Sequence, residues 1–167
     1  MSFGLKLFTG FHVILSLIGI LSGFVVAFGL LTSRRLEGWT AVFLSSTLLT
    51  SVTGFLFPFH GITPGLVIGV VSLILLALAI LGRYSRNLEG GWRRTYAITS
   101  MIALHLNFFI LIVQLFEKVP ALKAIAPTQS EAPFKIAQLT ALVLFIVLTV
   151  LSAIRFHGER LTNAPTT

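Results

Sequence analysis

The first strongly apolar run of the sequence covers residues 4–31 and carries a single charged side chain, Lys6. A helix needs roughly 20 apolar residues to cross the hydrocarbon core of a bilayer, so this run can span it with some tilt. The run is too long for the apolar region of a signal peptide, and no convincing small-residue cleavage site follows it. We therefore expect a retained membrane-spanning helix.

Four more apolar runs follow, separated by short polar or charged connections. The mean hydropathy is +0.99 and only 10% of the residues are charged, whereas a soluble domain usually carries about 25%. This pattern predicts an all-α integral membrane bundle that forms one domain over residues 1–167. The predicted spans cover residues 4–31, 39–57, 64–81, 95–116 and 133–154.

The Lys and Arg residues are unevenly divided between the two predicted ends of the bundle. Eight lie in the loops after spans 1 and 3 and in the C-terminal tail, and four lie in the other connections. Because cytoplasmic loops are enriched in Lys and Arg, we expect an extracytoplasmic N-terminus and a cytoplasmic C-terminus. The polar connection 117–132 is then extracytoplasmic. Val119, Leu122 and Ile125 recur there at helical spacing, which predicts a short surface helix.

The composition of the chain argues against several classes of function. The net charge of +7 comes from short loops between spans, where it reads as a topology signal and not as a nucleic-acid site. The absence of Cys excludes disulfides, thiolate metal sites and covalently attached haem c. All five acidic residues are Glu at or beyond span ends, which disfavours an ion-coupled transporter. No hydrolase or metalloprotease motif occurs, so nothing points to an enzyme.

The fourth span carries polar side chains in two directions. Ser100, Asn107 and Gln114 are spaced by seven residues and share a face, whereas His105 lies about 160° from Asn107 around the helix. Amides in lipid commonly bond across helices, and Gln138 or the hydroxyls of span 2 could supply the partners. The alternative is a polar pocket for a head group, quinone or small substrate, formed by Ser100, Asn107, Gln114 and Gln138.

Three histidines are candidates for axial ligands of a b-type haem, since neutral imidazole binds haem iron. From the rise per residue, His12 lies roughly 5–10 Å below the outer surface and His105 near mid-membrane. His60 lies at the outer boundary. Axial ligands need similar depths and no pair matches well, so haem b stays an alternative. The spacing indicates no other metal site.

Small residues recur at helical spacing in the first and third spans, at Gly19, Gly23, Gly65 and Gly69. Such seams let another helix backbone approach closely. Besides the lipid bilayer, we therefore expect that a membrane protein partner or a second copy of the chain could pack on these faces.

Several segments together resemble a group of small, functionally uncharacterised bacterial polytopic membrane proteins: residues 34–39, 53–61, 106–114, 118–122 and 126–131. The resemblance covers most of the chain and implies a location in the bacterial inner membrane. The group brings no established activity and no catalytic residues.

The favoured function is that of a non-enzymatic accessory subunit or a binder of lipid or another apolar small molecule. A redox protein that holds b-type haem or contacts quinone is the alternative. A small transporter is a further alternative; the absence of a carboxylate inside a span disfavours it but does not exclude transport of a neutral substrate.

Overall fold

The computed structural model describes residues 3–57 and 64–157, and every regular element in those ranges is helical. The predicted all-α fold is thus confirmed. The helices are α1 Phe3–Leu31, α2 Glu37–Gly54, α3 Pro64–Ile80 with a π-helical extension Leu81–Ser85, α4 Trp92–Lys118, α5 Pro120–Ile125 and α6 Ala132–Arg155.

Four helices are long and apolar enough to cross a membrane, namely α1, α3 with its extension, α4 and α6. The sequence predicted five spans, and the one that is not among these four is the predicted second span, 39–57, which corresponds to α2. This helix has 18 residues, which is close to the length a span needs. Its hydroxyl side chains make it more polar than the others: Thr40, Ser45, Ser46, Thr47, Thr50, Ser51 and Thr53. The spanning role of α2 therefore stays a prediction.

Several of these α2 hydroxyls bond within their own helix. The Ser45 hydroxyl donates to the Ala41 carbonyl at 2.7 Å, and the Ser46 hydroxyl donates to the Val42 carbonyl at 2.6 Å. Such bonds to the carbonyl four residues back satisfy a hydroxyl without a partner helix.

The π-helical extension carries the chain four residues beyond the predicted end of the third span. The amide of Arg86 donates to the Leu81 carbonyl, and the amide of Leu88 donates to the Gly82 carbonyl. The sequence predicted that Arg83 begins the basic loop after span 3, but its side chain is 3% exposed and pairs with Glu37 at 2.8 Å. This ion pair joins the π-helical extension to the start of α2.

Four helices form a ring in which α1 contacts α2, α2 contacts α3, α3 contacts α4 and α4 contacts α1, while α6 packs on α4 and α1. One half of this bundle has a tightly packed core. Phe43, Leu76, Met101 and Leu104 are all fully buried there. Dense apolar packing fills the centre of the bundle in this half, and a shallow cavity of about 280 Å³ lies at its surface, lined by residues of α2 and by Ile80 and Tyr84.

We call this half the arginine end of the bundle, and contacts between chain segments show which helix ends lie there. The His157 amide donates to the Ser33 hydroxyl at 2.9 Å, and Arg93 donates to the His157 carbonyl at 3.0 Å. The end of α1, the start of α4 and the end of α6 therefore lie together. At the opposite end, His12 of α1 contacts Thr53 of α2, and Gln129 donates to the Val113 carbonyl. We call this the cavity end.

The glycines of α1 permit close packing inside the chain. A methyl group at Gly19 would lie 2.9 Å from the Thr47 hydroxyl, and one at Gly23 would overlap Leu104 and lie 3.0 Å from Phe43. These small-residue positions thus face α2 and α4 of the same chain. A partner would have to use another face of α1.

Candidate functional site

A cavity of about 650 Å³ lies between α1, α2, α3 and α4 at the cavity end. This volume is within the range of small-molecule sites, roughly 300–1,000 Å³. Its polar lining consists of nine side chains, and no described Asp or Glu is among them. These nine are Thr9, His12, Ser16, Thr50, Ser51, Ser72, Asn107, Gln114 and Lys118.

Apolar side chains form the rest of the wall. They include Leu17 of α1, Ile68 of α3 and Ile110 of α4, together with the rings of Phe55 and Phe57 after α2. The cavity therefore offers hydrocarbon surface and uncharged hydrogen-bonding groups side by side. Among the described residues that line the cavity Lys118 is the one with a charge, and it is exposed at the C-terminal end of α4.

Small side chains create the space. Gly65, Gly69 and Ser72 of α3 line the cavity at spacings of four and three residues. From the sequence, such a stripe predicted a helix-packing seam. In the structure a methyl group at Gly69 would lie 3.1 Å from the Phe55 ring, which is a side-chain contact and not the approach of another helix backbone. A stripe of small residues can leave room for a ligand as well as for a helix.

Asn107 lies at the deep end of the cavity, beside the tightly packed half. A methyl group at Gly19 would be 3.3 Å from Asn107 Nδ2 and 2.9 Å from Thr47 Oγ1. Both atoms are buried, and neither has a hydrogen-bond partner within the described part of the chain. A buried donor without a partner costs roughly 1–3 kcal/mol, so these groups favour a molecule that supplies an acceptor.

Thr50 adds an unsatisfied hydroxyl to the lining. It is 7% exposed, and no described residue pairs with its Oγ1. Threonine in a helix usually bonds back to the preceding turn, as Thr53 does to the Leu49 carbonyl at 2.7 Å. Nothing in its type or spacing distinguishes Thr50 from its neighbours, so the sequence analysis did not select it.

His12 lies on the α1 wall and is half-buried. Its Nδ1 lies 2.9 Å from Thr53 Oγ1, and the ring of Phe57 packs edge-on against the imidazole with centroids 5.2 Å apart. The ring is thus held by a hydrogen bond on one side and an aromatic contact on another.

His105 points elsewhere. Its ring packs on Phe145 of α6, with centroids 5.0 Å apart, and it is not among the cavity-lining residues. The structure therefore does not bring His12 and His105 together as two haem ligands. His60, the third predicted ligand, lies outside the described residues. Within the described ranges no cluster of three His, Cys, Asp or Glu could hold a metal ion.

The four predicted pocket residues separate into two groups. Asn107 and Gln114 line the cavity. Ser100 is fully buried in the packed half, and Gln138 of α6 donates to the Phe109 carbonyl of α4 at 3.3 Å. Gln138 thus joins two helices, which is the role that the first interpretation gave these amides, although its partner is the Phe109 carbonyl and not Asn107 or Gln114. The shared face of Ser100 and Asn107 did not imply a shared site, because the bundle is packed at one depth and open at the other.

A second polar cluster, formed by Arg83, Tyr96 and Thr40 at the arginine end, was not predicted from the sequence. The Arg83 guanidinium lies 5.4 Å from the centre of the Tyr96 ring, and the Tyr96 hydroxyl lies 3.4 Å from Thr40 Oγ1. Tyr96 and Thr40 are each 1% exposed. This cluster joins α2, α4 and the π-helical turn, and its dense packing indicates a structural role.

Comparison of the chain with protein-family models, with curated proteins and with solved structures finds no match. The resemblance to bacterial membrane proteins is therefore an expectation from the sequence alone. Any assignment of function has to come from the cavity itself.

Proposed function

We propose that the protein is a five-span membrane protein that binds an uncharged amphiphilic molecule in the cavity between α1 and α4. The single observation that carries this proposal is the mixed lining of the cavity, apolar over much of its wall with unpaired donors at Asn107 and Thr50. Ligand sites of this kind are mostly apolar, and a few polar groups fix orientation. No catalytic constellation accompanies them, which favours a binder or accessory subunit over an enzyme.

The position of α2 supports its role as the fifth span. It starts at the arginine end, where Glu37 pairs with Arg83, and it reaches the cavity end, where Thr53 contacts His12. At 1.5 Å per residue its 18 residues cover about 27 Å, close to the thickness of a hydrocarbon core. Its hydroxyls face neighbouring helices or bond to its own backbone, so lipid exposure of polar groups is limited.

The charge distribution supports an orientation with the cavity on the extracytoplasmic side. All seven arginines in the described ranges lie in loops or helix ends at the arginine end: Arg34, Arg35, Arg83, Arg86, Arg93, Arg94 and Arg155. The lysines belong to the opposite end. The bacterial inner membrane is the location that the resemblance implies, with the arginine end in the cytoplasm.

The test is to identify small molecules that copurify with the protein. Leu111→Trp fills the cavity, and Leu139→Trp places the same ring on the exposed face of α6, where Leu139 is 59% exposed. We expect lipid extracts of wild type and Leu139→Trp to contain a bound amphiphile in stoichiometric amount, as measured by mass spectrometry. Leu111→Trp should lack it. Equal amounts in both variants would overturn the proposed site.

A transporter of a neutral substrate is the second candidate. The cavity lies at one end of the ring while the other end is closed by the packed core, as in a carrier open to one side. Uptake into vesicles that is lost in Asn107→Leu would favour this function over simple binding.

A further inference from the structure

We propose that the cavity selects an amphiphile with a hydroxyl head group, and that His12 accepts the hydrogen bond from that hydroxyl through Nε2. This assignment rests on the proposed function and names its ligand class. The observations that carry it are the hydrogen bonds of His12 and Thr53 and the position of both residues relative to the cavity.

The donor in the hydrogen bond between His12 and Thr53 can be assigned by counting the protons that each group can donate. A threonine hydroxyl has one proton to donate. Thr53 Oγ1 lies 2.7 Å from the Leu49 carbonyl oxygen, and only a donated proton makes so short an approach of two oxygens favourable. Thr53 must then accept at its contact with His12, so His12 Nδ1 is the donor at 2.9 Å.

The other ring nitrogen follows from this assignment. A neutral imidazole with its proton on Nδ1 has a lone pair on Nε2 and accepts there. Within the described ranges no group bonds to His12 Nε2, while the His12 ring lines the cavity. The cavity wall therefore presents an acceptor at this position, and the complementary group on a ligand is a donor such as a hydroxyl.

Thr53 acts through His12 and not on the ligand. It is absent from the cavity lining, although it belongs to the same turn as Thr50 and Gly54, which line it. We therefore assign Thr53 as a positioning residue that selects the tautomer of His12. This role gives a spectroscopic signature that is independent of ligand binding.

Asn107 and Thr50 extend the pattern. Asn107 lies beside Gly19, which is seven residues from His12 along α1, or about 10 Å at the rise of a helix. An acceptor on the same ligand, such as a carbonyl or ether oxygen, would meet the free Nδ2 of Asn107 or the hydroxyl of Thr50. Hydroquinones with an isoprenoid tail and long-chain aliphatic alcohols both share the required hydroxyl.

The first experiment tests the tautomer by solid-state NMR of protein with ¹⁵N-labelled histidine in lipid bilayers at neutral pH. The His12 signals are identified by their loss in His12→Phe. We expect a protonated Nδ1 and an unprotonated Nε2 in the wild type and a shift toward the Nε2–H form in Thr53→Val. Thr149→Val is the matched control, because Thr149 donates to the Phe145 carbonyl in the same way on α6. A wild-type His12 with its proton on Nε2 would overturn the inference.

The second experiment measures binding to the protein in nanodiscs with two matched pairs of probes. These are farnesol with farnesyl methyl ether, and decylhydroquinone with its dimethyl ether. Each ether lacks the hydroxyl proton and so loses one net hydrogen bond. It should therefore bind about three- to tenfold more weakly than its alcohol. The preference for the alcohol over its ether should disappear in His12→Phe. The pair in which the alcohol binds more tightly than its ether indicates whether the natural ligand is an aliphatic alcohol or a hydroquinone.

Alcohols and ethers that bind equally to wild type, and are both lost in Leu111→Trp, would overturn the hydroxyl assignment and leave the proposed function intact. If none of the four probes binds and no amphiphile copurifies, both the proposed function and this inference fail.

Discussion

The guanidinium of Arg83 lies 2.8 Å from the carboxylate of Glu37, and the two side chains differ sharply in exposure. The Arg83 side chain is 3% exposed, whereas that of Glu37 is 66% exposed. A cation is therefore buried while its counter-ion remains in contact with the surroundings. The pair joins the start of α2 to the π-helical turn after α3.

This asymmetry predicts unequal effects of removing each partner. Glu37→Gln leaves a buried cation without its counter-ion, and we expect a loss of stability of about 1–3 kcal/mol. Arg83→Met removes the buried charge together with the need to compensate it, and should cost less. Thermal unfolding in mild detergent measures both. The exposed Glu89 provides the control Glu89→Gln, which should leave the midpoint unchanged.

The close approach at Gly23 predicts a packing effect. An added methyl group would overlap Leu104 and lie 3.0 Å from Phe43, so Gly23→Ala should destabilise the bundle by about 1–3 kcal/mol. At Gly10 nothing lies within 4 Å of the same methyl group. Gly10→Ala should be neutral or slightly stabilising, since alanine favours a helix. Equal midpoints for the two variants would contradict the packing described here.

Thr50 and Thr53 lie on the last turns of α2, and we expect replacement by the isosteric valine to change the stability of the protein in opposite directions at the two positions. Thr50→Val removes a buried hydroxyl that lacks a described partner, so ligand-free protein should gain stability by up to about 1 kcal/mol. Thr53→Val removes a hydroxyl that links His12 to the Leu49 carbonyl and should cost about 1 kcal/mol. Thermal unfolding of delipidated protein gives the comparison, and a loss for both would show that Thr50 has a partner.

The Glu131 carboxyl predicts a pH dependence in the connection before α6. Desolvation raises its pKa, but hydrogen bonds from the Thr128 hydroxyl and from the amides of Thr128 and Ser130 outweigh this, and the pKa lies below its ordinary value. A lowered carboxyl pKa stabilises the folded connection above the unfolded-state pKa. That contribution is lost as the pH falls through the folded-state value.

Limited proteolysis of residues 126–131 measures this effect. Cleavage should increase as the pH falls into the acidic range, and Glu131→Gln should cleave readily at every pH. Glu117→Gln is the control and should follow the wild type. A wild-type cleavage rate that does not change with pH would contradict the prediction.

The topology of the proposed five-span bundle is tested with reporter fusions. A reporter after Thr167 should be cytoplasmic, and one inserted at residues 126–131 should be extracytoplasmic. If α2 does not cross the membrane, the two reporters would still lie on opposite sides, because α6 separates them. A third fusion in the loop at residues 33–36 gives the orientation of α1, and a signal there opposite to that at Thr167 would exclude five spans.

The helices could be predicted because their causes are local. The predicted fourth span at 95–116 corresponds to α4 Trp92–Lys118, and the predicted fifth at 133–154 corresponds to α6 Ala132–Arg155. Apolar length and charged ends are properties of each segment alone. The predicted short helix in the connection is α5 Pro120–Ile125. The helical course past residue 81 was missed, and so was the contact of its Arg83 with Glu37, which lies in another segment of the chain.

The sequence by itself determined the all-helical class, the positions of the long helices and the uneven division of Lys and Arg residues between the connections. Only the tertiary structure decided that His12, Asn107 and Gln114 share one cavity while His105, Ser100 and Gln138 do not. Position along a helix sets depth, but the neighbouring helix at that depth decides whether a polar side chain meets a packed wall or open space. That choice depends on residues distant in the chain, such as Thr53 beside His12, and no local pattern contains it.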